Sequence, residues 1–125
     1  MSKYLFLVVG LLLSSSVWAA QCQGPQKATL FWDAPQQGPT YTPVDHVEIW
    51  RADGTCNANS TFTPASPAFA ADIIQWDDLN VVAGQTYCWV GYSFDATGNK
   101  SGPSNTAECD VPLFPLDAPK NLRVQ

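Results

Sequence analysis

Short alternations of apolar and polar residues, separated by turn-forming residues, run through most of this chain. Five segments are typical of β-strands, because aromatic and β-branched residues are frequent in them and Gly, Pro, Asn or Asp bounds them. The predicted strands are residues 27–32, 46–51, 73–76, 87–95 and 106–111. No segment keeps a helical period, and residues 55–71 favour a loop with at most one short edge strand. The pattern predicts an all-β fold with two antiparallel sheets packed face to face.

The strand at residues 46–51 has two distinct faces. Side chains on successive residues of a strand point to opposite sides of the sheet. Val47 and Ile49 therefore share one face, and the other face carries His46, Glu48 and Trp50. Such alternation is expected of a strand that covers a core on one side only.

Residues 1–19 have the pattern of a secretory signal peptide. Lys3 precedes an apolar run at residues 4–13, and small residues lead to a cleavage site after Ala19. The run is shorter than the roughly 20 apolar residues of a membrane anchor. Gln21 in front of Cys22 disfavours lipidation. We expect a secreted, periplasmic or extracellular protein with no membrane insertion after signal cleavage.

The remaining chain, about 105 residues, has the size of one domain. Eleven acidic residues against six basic ones give the full chain a net charge of −5, and removal of Lys3 makes it more negative. An acidic surface repels nucleic acid and anionic membranes. A protein, a carbohydrate or another copy of the chain is the expected partner.

Four cysteines in an exported chain indicate two disulfides, for which three connectivities are possible. They are Cys22, Cys56, Cys88 and Cys109. A zinc site is the alternative interpretation. It is disfavoured because the sequence has no Cys-x-x-Cys motif and a single histidine, His46.

Four motifs, in order and spacing, resemble a fibronectin type III domain of the kind common in bacterial exported and phage proteins. They are LFWDAP at residues 30–35, VEIWR at 47–51, GQTY at 84–87 and DATGNKSGPSN at 95–105. The resemblance spans residues 27–111. It implies a β-sandwich with immunoglobulin-like topology over residues 20–111.

The resemblance also implies which side chains face the core. Trp32 would be the core tryptophan of the second family strand, and Tyr87 the tyrosine that braces the corner before the sixth. If Tyr87 points inward, Trp89, Gly91 and Ser93 do so too. Gly91 would then make room for a neighbouring tryptophan, so that Gly91→Val crowds the core. The expected core residues are Trp32, Val47, Ile49, Tyr87 and Trp89.

The opposite face of the same sheet is the candidate binding surface. Exposed aromatic patches often mark interaction sites. Two other interpretations stay open: the aromatic residues form ordinary cross-strand pairs that stabilise the sheet, or the C-terminal tail covers them. The residues expected on this face are His46, Glu48, Trp50, Val90, Tyr92 and Phe94.

The resemblance places all four cysteines at one end of the sandwich. It implies a pairing of Cys56 with Cys88 on neighbouring strands, which leaves Cys22 for Cys109. A bridge between Cys88 and Cys109 is the alternative.

Residues 112–125 form a tail in which APKNLRV, at 118–124, resembles the first strand of a fibronectin type III domain. Three interpretations stay open. The tail is a loose remnant before a further module, it fills a vacant sheet edge of its own chain, or it adds a strand to a neighbouring copy.

The residues indicate no catalytic or cofactor site. His46 lies beside Asp45 and Glu48, but no nucleophile accompanies it. The acidic residues at 72, 77 and 78 lack the spacing of a calcium loop. We expect a non-catalytic binding or adhesion module of the cell surface that recognises a protein or glycan. The alternative is a structural subunit of a virion or surface assembly that uses sheet edges and the tail.

Overall fold

The structure, a computed structural model, describes residues 20–125 and contains seven β-strands. The predicted signal peptide, residues 1–19, lies outside the described residues. The strands form a five-stranded sheet in the order β1-β7-β6-β3-β4 and a two-stranded sheet, β2-β5. The predicted all-β, two-sheet sandwich is confirmed. The strands are β1 Ala20–Gln21, β2 Ala28–Phe31, β3 His46–Asp53, β4 Thr63–Pro64, β5 Gln75–Asp78, β6 Thr86–Phe94 and β7 Ala107–Asp110.

The antiparallel pair of β3 and β6 is the longest ladder in the sandwich. It extends from His46 opposite Phe94 to Asp53 opposite Tyr87. β7 continues the sheet in antiparallel direction on the far side of β6, and β1 adds to β7 in parallel. Alternation along β3 and β6 therefore sets which side chains face the second sheet and which face solvent.

Two strands differ from the sequence prediction. β5 begins two residues later than predicted, because its antiparallel pairing with β2 places Asp78 opposite Ala28 and Gln75 opposite Phe31. Ile73 and Ile74 precede the strand and are exposed. β1 was not predicted, since its two residues carry no alternation, and only the pairing with β7 makes it a strand.

Apolar side chains from both sheets meet between the layers. Val47, Ile49, Tyr87 and Trp89 are buried there. Trp32 is only partly buried and packs against this core, with its ring centroid 5.8 Å from that of Phe69. Further buried members of the cluster are Cys22, Ala28, Val81 and Val111.

The corner before β6 is held by a tyrosine. The Tyr87 hydroxyl accepts a hydrogen bond from the Val82 N–H at 3.0 Å. This bond satisfies a polar atom of a buried ring and ties the loop between β5 and β6 to the core.

A buried carboxylate lies among the core side chains. Asp78 has no exposed surface, and its Oδ2 accepts hydrogen bonds from Arg51 Nη1 at 2.7 Å and Trp89 Nε1 at 3.0 Å. Its Oδ1 accepts the Asn80 N–H at 3.0 Å. Arg51 also lies over the Tyr87 ring, 5.2 Å from its centroid. A charge placed here must be paired, so this cluster fixes how the two sheets meet.

Two disulfides close the sandwich, and both have the predicted pairing. Cys22–Cys109 fastens the residue after β1 to β7. Cys56–Cys88 fastens the loop after β3 to β6. Two disulfides in so small a domain indicate an oxidising environment.

The expectation that Gly91 makes room for a tryptophan is wrong. A Cβ added at Gly91 would lie 3.4 Å from Ser104 Oγ and 3.5 Å from Ile49 Cδ1, and neither distance implies crowding. Gly91 instead lines an open cleft between the layers. Substitution there should therefore fill space instead of overpacking the core.

The tail, residues 112–125, forms no strand. At its start Leu113 packs against Gly84, whose missing side chain leaves space for the leucine methyl group. Leu116, Leu122 and Val124 are 98%, 95% and 96% exposed. The tail therefore neither covers the predicted binding surface nor fills a sheet edge of its own chain.

Candidate functional site

The outer side of the β3-β6 ladder brings together five predicted residues, which we call the aromatic face: His46, Glu48, Trp50, Tyr92 and Phe94. The His46 ring stacks on the Phe94 ring opposite it, with centroids 4.7 Å apart and planes 5° from parallel. Trp50 meets Tyr92 edge to face, with centroids 5.2 Å apart. The two aromatic pairs form one continuous surface along the sheet.

A lysine that the sequence did not reveal completes this face. Lys100 Nζ lies 4.4 Å from the ring centroids of both Trp50 and Tyr92. Because the turn after β6 folds back, Lys100 forms a β-bridge with Phe94. A cation above two aromatic rings is attracted by their electron-rich faces. The sequence does hold a signal for Lys100: it follows the Gly-Asn turn directly, so the chain that turns back brings this basic residue over the aromatic strand.

Asp95 fixes the turn that carries Lys100. Its carboxylate accepts hydrogen bonds from the Asn99 side chain at 2.9 Å and the Thr97 hydroxyl at 2.9 Å. Hydrogen bonds from Asn99, and then from Thr97, lower the pKa of Asp95 to about 2. The turn therefore keeps its charged anchor at all but strongly acidic pH.

Carboxylates lie within hydrogen-bond distance of the ring nitrogens of the aromatic face. Glu48 Oε1 accepts the Trp50 indole N–H at 3.0 Å, and Glu48 Oε2 lies 3.2 Å from His46 Nε2. On the other side of the imidazole, Asp45 Oδ2 lies 2.8 Å from His46 Nδ1. Both ring nitrogens are thus engaged with carboxylates, which orients the imidazole for stacking and leaves it no role as a free base.

The pKa of His46 is expected above its ordinary value of about 6.5. The hydrogen bond to Asp45 raises it most, Glu48 adds to the rise, and burial opposes both. A raised pKa in the folded state means that the imidazolium stabilises the fold fully below the unfolded pKa, and that this contribution is lost as pH rises through the folded pKa. NMR titration of the imidazole should show the shift. In Asp45→Asn the pKa of His46 should fall, and an unchanged value would contradict the assigned cause.

The aromatic face is less exposed than the sequence suggested. All five of its residues are half-buried, since each ring covers part of its neighbour. Val90, expected on the same side, is buried with 3% of its surface exposed. The side of the sheet therefore offers ring edges and charged groups rather than flat, fully open rings.

Separate from the aromatic face, a cleft of about 340 Å³ lies between the layers. It is bounded by β2 on one side and residues 101–107 on the other. Its walls include side chains expected in the core, among them Trp32, Ile49 and Trp89. The Trp32 indole N–H is buried and has no hydrogen-bond partner within the described residues. We call this feature the edge cleft.

The arrangement offers binding chemistry. Stacked rings, a lysine and two carboxylates can pack against and hydrogen-bond a partner. Among residues 20–125, no three His, Cys, Asp or Glu side chains lie together as a metal site. In the same range no helix is long and apolar enough to cross a membrane.

No family model matches the sequence, and a comparison with curated proteins gives no match. Solved structures do resemble the chain. The third fibronectin III domain of the human KIAA0343 protein has a TM-score of 0.60 at 9% identity and covers 79% of this chain and 81% of its own. The domain of human fibronectin type III domain containing protein 3 has a TM-score of 0.52 at 16% identity, with coverages of 78% and 80%.

The kinase region of twitchin from C. elegans is similar as well, with a TM-score of 0.59 and 14% identity. The match covers 86% of this chain but only 18% of that much longer one. At such identities the likeness shows the fold alone, and that fold is the fibronectin type III sandwich which the sequence motifs resemble.

Proposed function

We propose that this chain, which has the fibronectin type III fold, is a non-catalytic recognition module that docks a protein through the aromatic face. The fold neighbours are fibronectin type III domains, which are compatible with a binding role. The observation that carries the proposal is the cluster of half-buried Trp50 and Tyr92 with exposed Lys100 on one side of the β3-β6 ladder.

Residue types and positions both favour a protein partner. Aromatic residues are enriched at the centres of protein interfaces, where Trp and Tyr dominate the binding free energy. Here they lie on paired strands, and the charged groups of Asp45, Glu48 and Lys100 surround them. Such a mixed rim suits a partner with complementary charges.

A glycan is the less favoured ligand for this face. A sugar ring would stack flat on an exposed aromatic ring, but Lys100 occupies the space above Trp50 and Tyr92. Sugar binding would require the lysine to leave two rings that attract it.

The proposed site of action is outside the cytoplasm. Two disulfides support an oxidising compartment. The predicted signal peptide at residues 1–19 gives the route of export, and it is tested by the N-terminal sequence of the secreted protein.

Substitution Trp50→Ala tests the proposed function. Biotinylated protein is cross-linked to extracellular material of its source, and captured proteins are identified by mass spectrometry. We expect a specific partner that Trp50→Ala loses by tenfold or more, because truncation of a central aromatic residue typically costs about 2 kcal/mol or more. Tyr41→Ala is the matched control, since Tyr41 is an exposed ring that belongs to neither the aromatic face nor the edge cleft.

Circular dichroism melting shows whether Trp50→Ala keeps the fold. A partner captured equally by Trp50→Ala and wild type would contradict docking through the aromatic face. Binding to a glycan array that depends on Trp50, without a captured protein, would assign the face to a carbohydrate instead.

A structural role in an assembly is the second candidate function. It is favoured by two features of residues 20–125: an edge of β2 that faces no other strand in this range, and a tail with exposed apolar side chains.

A further inference from the structure

β2 has an open edge. Its hydrogen-bonded neighbour among the strands of residues 20–125 is β5, so its other side faces no strand. The Trp32 N–H bonds to the Ile74 carbonyl in this ladder. Because backbone groups of alternate residues point to opposite sides of a strand, the N–H and C=O groups of Thr29 and Phe31 point to the open side. They form a template for one further strand.

The edge cleft lies along this open side. Leu30 of β2 and Trp32, the residue after it, line the cleft together with Ile49 and Trp89 of the other sheet, whereas no residue of β5 contributes. The cleft is thus a trough with an apolar wall along the unpaired backbone of β2, while Ser101, Ser104 and Asn105 make its opposite wall polar. A strand added to β2 would place every second side chain in the trough.

The tail has the side chains that such a trough would take. Leu122 and Val124 are two residues apart, so both would point to one face of an extended segment. They are 95% and 96% exposed. Residues 119–125 form neither helix nor strand, and the bend at Asn121, whose φ is 57°, must straighten when the segment pairs with β2.

Charge favours the same contact. Residues 20–111 carry three basic and ten acidic side chains. The tail carries two basic residues, Lys120 and Arg123, and one acidic residue, Asp117. An acidic body and a basic tail attract each other, and the cleft lining itself includes an acidic residue, Asp33.

The direction of the chain favours a second copy over self-insertion. Asp78, opposite Ala28 at the start of β2, bonds Trp89 near the start of β6, so β2 and β6 run the same way. β7 runs opposite to β6, and the tail therefore leaves at the end where β2 begins. A tail folding back onto its own edge would run parallel to β2, and parallel pairing is slightly less stable per residue than antiparallel pairing. The tail of another copy can enter antiparallel.

We infer that the tail of one copy adds as an antiparallel strand to the open edge of β2 in a second copy, with Leu122 and Val124 inserted in the edge cleft. The interaction joins identical chains and uses neither Trp50 nor Lys100. It therefore stands apart from the proposed protein docking at the aromatic face.

The test compares tail variants of the full secreted chain by sedimentation velocity over a concentration series. Wild type should associate. Leu122→Asp with Val124→Asp should weaken association on the order of a hundredfold, because two carboxylates would be buried against the apolar wall of the trough. Leu116→Asp is the matched control. Leu116 is as exposed as Leu122 and Val124, and its replacement also puts a carboxylate in place of an apolar side chain. Because Leu116 lies before Pro119, outside the inserted segment, this variant should associate as wild type does.

A peptide of residues 115–125 tests the acceptor separately. Labelled peptide should bind the Leu122→Asp, Val124→Asp chain, whose own edge is vacant, and should not bind when Gly91→Val is added. The valine would fill part of the cleft, while β-branching suits the strand. Melting by circular dichroism confirms that the Gly91→Val chain is folded.

A wild-type chain that stays monomeric throughout the series would overturn the inference. So would association that survives Leu122→Asp with Val124→Asp, or peptide binding that Gly91→Val does not affect. Trp50→Ala separates the two proposals, since it should reduce partner capture by tenfold or more and leave self-association unchanged.

Discussion

Replacement of Asp78 by alanine is expected to lower the free energy of unfolding by about 3 kcal/mol. The carboxylate is fully buried and accepts hydrogen bonds from Arg51 Nη1 and Trp89 Nε1. Its loss would leave the guanidinium and a buried indole N–H without this acceptor. We expect a cost near the low end for a broken buried pair, because 23% of the Arg51 side chain reaches solvent and water can partly replace the carboxylate.

Asp77→Ala is the control for Asp78→Ala. Asp77 is next in sequence, but its carboxylate bonds the Thr29 hydroxyl at the exposed surface. Its replacement should cost about 1 kcal/mol or less. Urea denaturation with both variants measures the difference, and equal costs would contradict the buried cluster.

A double variant separates the charge from the volume at this site. Arg51→Met with Asp78→Leu removes both charges and keeps apolar bulk, so it should recover much of the stability lost in Asp78→Ala. Stability that stays as low as in Asp78→Ala would mean that the ion pair itself specifies the packing of the two sheets.

The sequence predicts the central ladder well, because β3 and β6 carry strong alternation. The two-residue period of a strand is enough to place Val47 and Ile49 on one side of the sheet and His46 on the other. The disulfide pairing followed from the resemblance to the fibronectin type III fold. Local pattern and strand order are enough for these features, since each depends on neighbours in the same sheet.

The features that sequence reasoning missed depend on contacts between distant segments. Asp78 was considered only as a calcium ligand and rejected on spacing, and the structure pairs it with Arg51, 27 positions away. A signal was present, because Arg51 is in phase with Val47 and Ile49 and therefore points inward. An inward arginine needs a buried acceptor, but the sequence does not say which carboxylate supplies it.

The sequence predicted which residues share the aromatic face, but it did not predict how exposed their side chains are. His46 and Phe94 were expected on one face, and the structure stacks them. How far each ring is covered depends on Lys100 and on the return of the turn, and neither is set by alternation. The vacant sheet edge was expected only from the resemblance to the fibronectin type III fold, since alternation in β2 does not show whether a strand lies beside it.

Removal of the Cys22–Cys109 disulfide is expected to be the most destabilising change of all. In the chain-entropy account a disulfide stabilises by restricting the unfolded chain, and longer loops gain more. This bridge spans a sequence separation of 87, against 32 for Cys56–Cys88. The expected losses in free energy of unfolding are roughly 4–5 kcal/mol and roughly 3–4 kcal/mol.

The two double alanine variants, Cys22→Ala with Cys109→Ala and Cys56→Ala with Cys88→Ala, remove the same atoms, so their comparison isolates loop length and position. Urea denaturation measures the loss in each. A greater loss in the second variant would contradict the order set by loop length.

Hydrogen exchange should show that the two variants lose amide protection in different parts of the sheet. The Cys22 N–H donates to the Asp110 carbonyl at 2.9 Å, and β1 contributes only two residues to the sheet. Without its disulfide such a short strand should detach, so amide protection at residue 22 should vanish while the β3-β6 ladder stays protected. The Cys56–Cys88 variant should keep residue 22 protected. Protection that persists at residue 22 without Cys109 would show that backbone pairing alone holds β1, and the disulfide would then act on the unfolded chain only.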